Sequence, residues 1–79
     1  MHTKNIDAGI IRLRQGEVDT QEPHSADELY YVIKGSGKIE IDGKDSTVKE
    51  GTIVFIPAKA KHRFHSNKDE LTILYMFGG

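Results

Sequence analysis

The sequence has no cysteine among its 79 residues, so it cannot be stabilised by a disulfide. A domain of roughly 70 to 80 residues rarely builds a core worth more than about 3 to 5 kcal/mol, and natural domains of this size add a disulfide, a metal or a partner subunit. Since the first route is closed, metal binding and self-association are the routes that remain. We expect a homodimer on this ground.

The sequence also lacks the features of nucleic-acid-binding and membrane proteins. Lys and Arg together number 11 and Asp and Glu 12, which gives a net charge of -1 without the basic excess of a nucleic-acid binder. No apolar run approaches the roughly 20 residues that span a bilayer, and the first residues contain no apolar signal-peptide region. We therefore expect a cytoplasmic protein with neither nucleic acid nor membrane as a partner.

Residues that favour helices are scarce, whereas residues that favour strands are abundant. Ile, Val and Thr occur 9, 4 and 5 times, against 4 Leu, 4 Ala and 2 Met, which is the balance of a pleated sheet. Short apolar runs alternate with turn residues along the chain, a rhythm typical of an all-β sandwich or barrel. Because no linker or repeat interrupts this pattern, we expect one domain that covers residues 1–79.

The turn residues divide the chain into predicted strands at 9–14, 18–21, 28–34, 38–41, 45–48, 52–56, 62–65 and 71–77. Asp42-Gly43 is a strong signal for a two-residue hairpin turn. The apolar run at 28–34 is continuous rather than alternating, so we expect both of its faces to be covered. The candidates for the core or the barrel lining are Tyr30, Val32, Ile39, Ile41, Val54, Phe55, Ile56, Phe64, Leu74 and Met76.

Carboxylates and histidines concentrate in two places, residues 19–28 and 62–65. In an extended segment the side chains at i and i+2 project to the same side, so Glu22 and His24 can converge on one point. Glu28 begins the next strand, and His62 lies on a distant strand that a barrel could bring close. Imidazole and carboxylate ligands together suit Zn, Fe, Ni or Mn.

The intervals between these residues resemble the two motifs of the cupin family. Residues separated by five, one, three and six positions are similar to the first motif, which here covers 16–35: Gly16, Glu22, His24, Glu28 and Gly35. Residues separated by five and four positions are similar to the second motif, which here covers 51–66: Gly51, Pro57 and His62.

The resemblance implies a double-stranded β-helix, the jelly-roll barrel of the cupins, which is usually dimeric and carries a divalent metal in its mouth. It implies His24, Glu28 and His62 as metal ligands, with Glu22 where the family usually has its first histidine. Glu22 could complete the ligand set, or point away and leave the two histidines and one carboxylate found in non-haem iron oxygenases. It could also mark a site that has lost its metal.

Two positions of the second motif depart from the family. Lys59 stands where the family usually has glycine, so a turn that needs a positive φ would be strained or differently shaped. Ser66 stands where the family usually has asparagine, with Asn67 one residue later. These departures affect the predicted turns more than the predicted ligands.

Strand alternation suggests further roles around the site. Glu28 could be a metal ligand, a partner that orients a histidine, or a general base, and Glu22 is the second candidate for proton transfer. Tyr30 and Phe64 share side-chain parity with Glu28 and His62 respectively, which makes them candidates for the walls of a substrate pocket.

Arg63 belongs to a basic cluster within residues 59–68 and is the candidate for binding an anionic substrate. The sequence therefore favours a metal-dependent enzyme that acts on a small polar or anionic metabolite. By resemblance, its chemistry would be that of a dioxygenase, an isomerase or a decarboxylase. Two alternatives stay open: a metal- or ligand-binding module without turnover, and a metal-free structural barrel.

Overall fold

The computed structural model describes residues 6–17 and 26–78, which form seven β-strands. The strands are β1 (Ile6–Leu13), β2 (Glu28–Lys34), β3 (Ser36–Ile41), β4 (Lys44–Lys49), β5 (Ile53–Ile56), β6 (His62–His65) and β7 (Leu71–Gly78). The predicted strand at 18–21 lies outside the described residues. Within these residues, no helix is both long and apolar enough to cross a membrane.

The strands form two antiparallel sheets whose inner faces enclose one core. The four-stranded sheet has the order β1-β7-β2-β5, and the three-stranded sheet has the order β4-β3-β6. The buried apolar side chains come from both sheets and form a single cluster. The prediction of an all-β jelly-roll barrel is therefore confirmed.

The β3–β4 hairpin shows how local sequence determines the fold. Asp42 and Gly43 connect the two strands, and both have positive φ, at 48° and 84°. Two consecutive residues with positive φ fit the right-handed twist of a hairpin, and aspartate and glycine tolerate this conformation better than other residues. The predicted hairpin is present, with Ile41 paired to Lys44.

β2 has the predicted extent but not the predicted environment. Glu28, Tyr30 and Val32 point into the barrel and are buried, whereas Leu29 and Tyr31 point outward and are exposed. The expectation that both faces are covered was wrong for this chain because the second sheet packs on one face alone. A continuous apolar run is compatible with either arrangement.

The predicted core needs a second correction in β5 and β7. Phe55 is 56% exposed, and Leu74 and Met76 share the outer face with Tyr31 and Leu29, their register partners. In β7 the inward row instead contains Tyr75 and Phe77, together with Leu71 and Ile73. Both faces of β7 are apolar, so side-chain type does not reveal which row is internal.

The two departures in the second motif have distinct outcomes. Lys59 adopts the positive φ expected of a glycine, at 68°, and Ser66 likewise has a φ of 58°. Asn67 is buried, and its Nδ2 donates to the carbonyl oxygens of Leu13, Arg14 and Asp69. The asparagine one residue late therefore ties the turn before β7 to the end of β1.

Candidate functional site

Glu28 and His62 come together at one end of the barrel although 33 residues separate them in the sequence. Glu28 begins β2 of the four-stranded sheet, and His62 begins β6 of the three-stranded sheet. Both side chains point inward, where Glu28 Oε1 lies 3.2 Å from His62 Nε2. They are 2% and 6% exposed, so the pair is shielded from bulk water.

A backbone carbonyl fixes the orientation and tautomer of the His62 ring. Nδ1 lies 2.9 Å from the carbonyl oxygen of Ala60, and a carbonyl can only accept, so Nδ1 carries the proton of this hydrogen bond. In a neutral ring, Nε2 then presents a lone pair toward the Glu28 oxygen. Two acceptor atoms 3.2 Å apart in a buried place require a proton or a cation to hold them together.

Aromatic and aliphatic side chains surround the pair. Glu28 lies opposite Phe77 on β7 and Ile56 on β5. The Tyr30 ring is centred 5.7 Å from the His62 ring and 4.9 Å from the Phe64 ring, with an edge-to-face arrangement toward Phe64. This environment lowers the local dielectric, which strengthens any electrostatic interaction made by the carboxylate.

The other predicted ligands, Glu22 and His24, lie outside the described residues. In the part of the chain that the structure describes, no three His, Asp or Glu side chains are grouped closely enough to hold a metal ion. The described portion of the candidate site is therefore the two-residue pair of Glu28 and His62, which joins one residue from each sequence motif.

Arg63 does not join this group. It neighbours His62 on β6 and so points to the opposite side of the sheet, where its Nε lies 2.7 Å from Glu40 Oε1. His65 is also on this outer side, with Nε2 2.7 Å from Asp45 Oδ1. The predicted pocket role of Arg63 is therefore corrected: its guanidinium faces solvent and a carboxylate rather than the barrel interior.

The sequence does not predict three groups at the site: the Ala60 carbonyl, Tyr75 and Phe77. The carbonyl carries no side-chain signal. Tyr75 and Phe77 stack with their ring centroids 6.0 Å apart on the inward face of β7. They lie on the same face of the strand as Leu71 and Ile73, at every second position, and this period-two pattern is visible in the sequence. Both faces of β7 are apolar, so the pattern does not show which face is internal.

The chain is similar to one family of known proteins, both in sequence and in fold. Residues 9–78 match the family described as Cupin domain. An uncharacterised protein of Streptomyces coelicolor is 32% identical over 77 residues, which are 98% of this chain and 73% of that protein. The 5-nitrosalicylic acid 1,2-dioxygenase of a Bradyrhizobium species is 27% identical over 74 residues, 94% of this chain.

The chain spans only 36% of that dioxygenase. Among solved structures, KdgF from a Halomonas species superposes with a TM-score of 0.89 at 22% sequence identity. The aligned region is 99% of this chain and 73% of KdgF. At this identity the similarity to KdgF concerns the fold alone.

Proposed function

Because this chain belongs to the cupin family, we propose that it is a metal-dependent enzyme acting on a small polar or anionic metabolite. The proposed ligands of the divalent transition metal, which would be Fe, Mn, Ni or Zn, are Glu22, His24, Glu28 and His62. The observation that carries the proposal is the buried contact between Glu28 and His62.

The donor atoms of this pair fit a shared metal ion. Nitrogen and oxygen ligands at about 2.1 Å from one ion lie roughly 3.0 to 3.4 Å apart in octahedral or tetrahedral geometry, and the observed separation is 3.2 Å. His62 donates its other ring N–H to a backbone carbonyl, as metal-binding histidines commonly do. Both features support a ligand role for His62 Nε2 and Glu28 Oε1.

The remaining ligands are close along the chain. His24 precedes Glu28 by four residues, and four residues span at most roughly 14 Å even when fully extended. Glu22 is two residues further. A set of two histidines and one or two carboxylates suits Fe, Mn or Ni, and Glu22 determines whether the ligand charge neutralises a divalent ion.

The bound ion would supply Lewis-acid polarisation of a substrate oxygen. Glu28 would hold or release a proton at Oε1 whenever it is not fully committed to the metal. The Ala60 carbonyl keeps the His62 ring in one tautomer, and Tyr30 and Phe64 exclude water from the inner side of the pair.

Among the chemistries that the family motifs suggest, the Bradyrhizobium relative favours a dioxygenase. Its name specifies an aromatic carboxylic acid and O2 as reactants. A small carboxylic acid agrees with the expected class of substrate. We therefore propose oxidation of a small anionic substrate as the first activity to assay, with isomerase and decarboxylase chemistry next.

Metal content of the wild-type protein and matched variants tests the site directly. After chelation and reloading with Fe, Mn, Ni or Zn, the wild type should bind about one ion per chain. Glu28→Gln and His62→Gln should lower the affinity for the metal by at least about 100-fold, because each replaces an atom that binds the metal directly. His65→Gln changes the same residue type on the outer face and should leave binding unchanged.

Near-zero stoichiometry in the wild type for all four ions would remove the metal proposal. If the wild type binds metal, the metal content of Glu22→Gln and of His24→Gln decides whether Glu22 and His24 each complete the ligand set. O2 consumption by the reloaded protein with 5-nitrosalicylate separates an enzyme from a binding module. Metal binding without turnover of this or other small carboxylic acids would favour the module.

A homodimer, a single domain over residues 1–79 and a cytoplasmic location complete the proposal. The homodimer has the clearest physical basis, because a partner subunit is one of the routes by which a domain with so small a core can gain stability. The other two statements remain predictions from the sequence.

A further inference from the structure

The outer face of the three-stranded sheet carries a serine, a histidine and an aspartate that are hydrogen-bonded in series. His65 Nε2 lies 2.7 Å from Asp45 Oδ1, and His65 Nδ1 lies 2.8 Å from Ser66 Oγ. Asp45 lies on β4, His65 ends β6, and Ser66 is the next residue. Because β3 lies between β4 and β6, the contact between the histidine and the aspartate reaches across one strand.

The hydrogen-bonding capacity of each group determines where the protons lie. At neutral pH an ionised carboxylate can only accept, so His65 Nε2 carries the proton of the bond to Asp45. In a neutral ring Nδ1 then has a lone pair, and the Ser66 hydroxyl donates to it. A hydroxyl bonded to a base, with the base oriented by a third group, is the arrangement of an activated serine nucleophile.

The position of Ser66 in the chain agrees with such a role. Ser66 is exposed, whereas the His65 side chain is only 16% exposed, so a substrate can reach the hydroxyl while the base is largely shielded from water. The φ of Ser66 is 58°, in the left-handed region that residues other than glycine seldom adopt. Such strained residues cluster at functional sites, and hydrolases can present a nucleophilic serine on a strained turn after a strand.

A second ion pair on the same face shows what distinguishes His65. Arg63 Nε lies 2.7 Å from Glu40 Oε1, and a guanidinium does not exchange its proton in proteins. That pair can attract charge but cannot move a proton. An exposed ion pair contributes little to stability by itself, so the hydroxyl at the second nitrogen of His65 is the feature that indicates chemistry.

From this geometry we propose that Ser66, His65 and Asp45 form a second reactive site, which hydrolyses small esters through an acyl-serine. The site is separate from the pair of Glu28 and His62. His65 follows His62 by three residues, which is roughly 10 Å along the strand, and the two side chains point to opposite sides of the sheet.

The reaction has two steps. Ser66 Oγ attacks the ester carbonyl carbon and forms a C–O bond while its proton moves to His65 Nδ1, and Asp45 stabilises the imidazolium. The ester C–O bond then breaks, and the alcohol leaves with the proton from His65. In the second step His65 removes a proton from water, which attacks the acyl-serine, releases the carboxylic acid and restores the serine.

Lys38 supplies positive charge beside this site. It is the register partner of His65 on β3, so both side chains project on the outer face of the sheet. Lys38 is exposed. The carbonyl oxygen of the ester becomes negative as Ser66 attacks, and a nearby cation stabilises that charge.

Acetylation by p-nitrophenyl acetate tests the proposal on the protein as purified, with and without a chelator. Release of p-nitrophenolate gives the rate, and mass spectrometry of an acid-quenched tryptic digest locates the acetyl group. Trypsin releases residues 64–68 and 35–38, in which Ser66 and Ser36 are the only hydroxyl side chains. Acetyl should accumulate on Ser66 at least about 100-fold faster than on Ser36, an exposed serine of the same sheet, with or without the chelator.

Matched variants assign the roles, and circular dichroism verifies that each is folded. Ser66→Ala should remove the acetyl group from residues 64–68. His65→Gln should slow acetylation of Ser66 by at least about 100-fold, because it removes the general base. Asp45→Asn should slow it by about 10-fold or more, because it removes the charge that stabilises the imidazolium. Thr47→Ala changes the next outward residue of β4 and should leave the rate unchanged.

Three results would overturn the proposal. Equal acetylation of Ser66 and Ser36, or acetylation of Ser66 that survives His65→Gln, would mean that the serine reacts as an ordinary alcohol. Release of p-nitrophenolate at the wild-type rate by Ser66→Ala would assign the reaction to another group, such as the imidazole. A rate that the chelator abolishes would assign it to a bound metal, and so to the other site.

Discussion

Replacing Asn67 by alanine should lower the free energy of unfolding by about 2 to 4 kcal/mol. Asn67 is 2% exposed, in the turn between β6 and β7. Its Nδ2 lies 2.8 Å from the carbonyl oxygen of Arg14, 2.9 Å from that of Asp69 and 3.2 Å from that of Leu13. The side chain thus connects the end of β1 to the start of β7.

The magnitude follows from the number of donors. Nδ2 has two protons, so two of the three carbonyls can be fully bonded at once. Leaving a buried polar group without its partner costs about 1 to 3 kcal/mol. Arg14 and Asp69 are exposed, so the cost for each carbonyl lies in the lower half of that range. The loss of two such bonds gives the expected total of about 2 to 4 kcal/mol. A core of this size rarely supplies more than about 3 to 5 kcal/mol, so the loss is a substantial fraction of the total stability.

Asn67→Asp separates the hydrogen bonds from the shape of the side chain. An ionised carboxylate has no donor and would face three carbonyl oxygens, so the variant should be less stable than Asn67→Ala at pH 7. Burial beside carbonyl oxygens raises the pKa of the introduced carboxyl above its unfolded value. The stability deficit of Asn67→Asp relative to the wild type should therefore shrink as the pH falls toward 4. A group whose pKa is raised in the folded state stabilises that state at low pH, and this stabilisation is lost as the pH rises.

Urea unfolding followed by circular dichroism, at one fixed protein concentration, measures these differences without interference from changes in association. The wild type is measured at both pH values as the reference. A loss below about 0.5 kcal/mol for Asn67→Ala would refute the reasoning, because it would mean that water replaces the amide at no cost. An Asn67→Asp deficit that is unchanged at pH 4 would show that the defect is not one of missing donors.

Two backbone positions give further predictions, both measured by the same urea unfolding. Lys59→Gly should stabilise the protein by up to about 1 kcal/mol by relieving a positive φ, whereas Lys61→Gly should destabilise it by about 0.5 to 1 kcal/mol. A loss of stability in both would contradict the strain at Lys59. Gly35→Ala should cost about 3 kcal/mol or more, because its Cβ would lie 2.5 Å from the Glu70 carbonyl oxygen. Gly51→Ala, at a similar φ with open space around it, should cost only about 1 to 2 kcal/mol. Equal costs would mean that the Gly35 contact relaxes freely.

The strands could be predicted from the sequence because their limits are local. Turn residues such as Gly35 and Gly43 end each run, and β2 and β6 have the predicted bounds. The direction of a side chain is harder to predict where both faces are apolar. The sequence predicts Met76 in the lining and does not predict Phe77, because the internal row of β7 is decided by its register with β1 and β2.

The candidate site shows the same division. The sequence predicts Glu28 and His62 together because their spacing resembles two motifs. The distance between them depends on how the two sheets pack, and the periodicity of a sequence carries no information about that packing. The position of Arg63 could have been predicted better. Adjacent residues of a strand point to opposite faces, so an inward His62 already directs Arg63 outward.

The place of β7 between β1 and β2 also has a consequence for synthesis on the ribosome. Among the described strands, β1 is hydrogen-bonded to β7 alone, with Leu13 paired to Leu71 and Ile6 to Gly78. β1 is the first of these strands to leave the exit tunnel and β7 is the last, so β1 can pair with β7 only at the end of synthesis of this segment. The β3–β4 hairpin can form early from neighbouring residues, but the hydrogen bonds between β1 and β7 can form only after translation has passed β7.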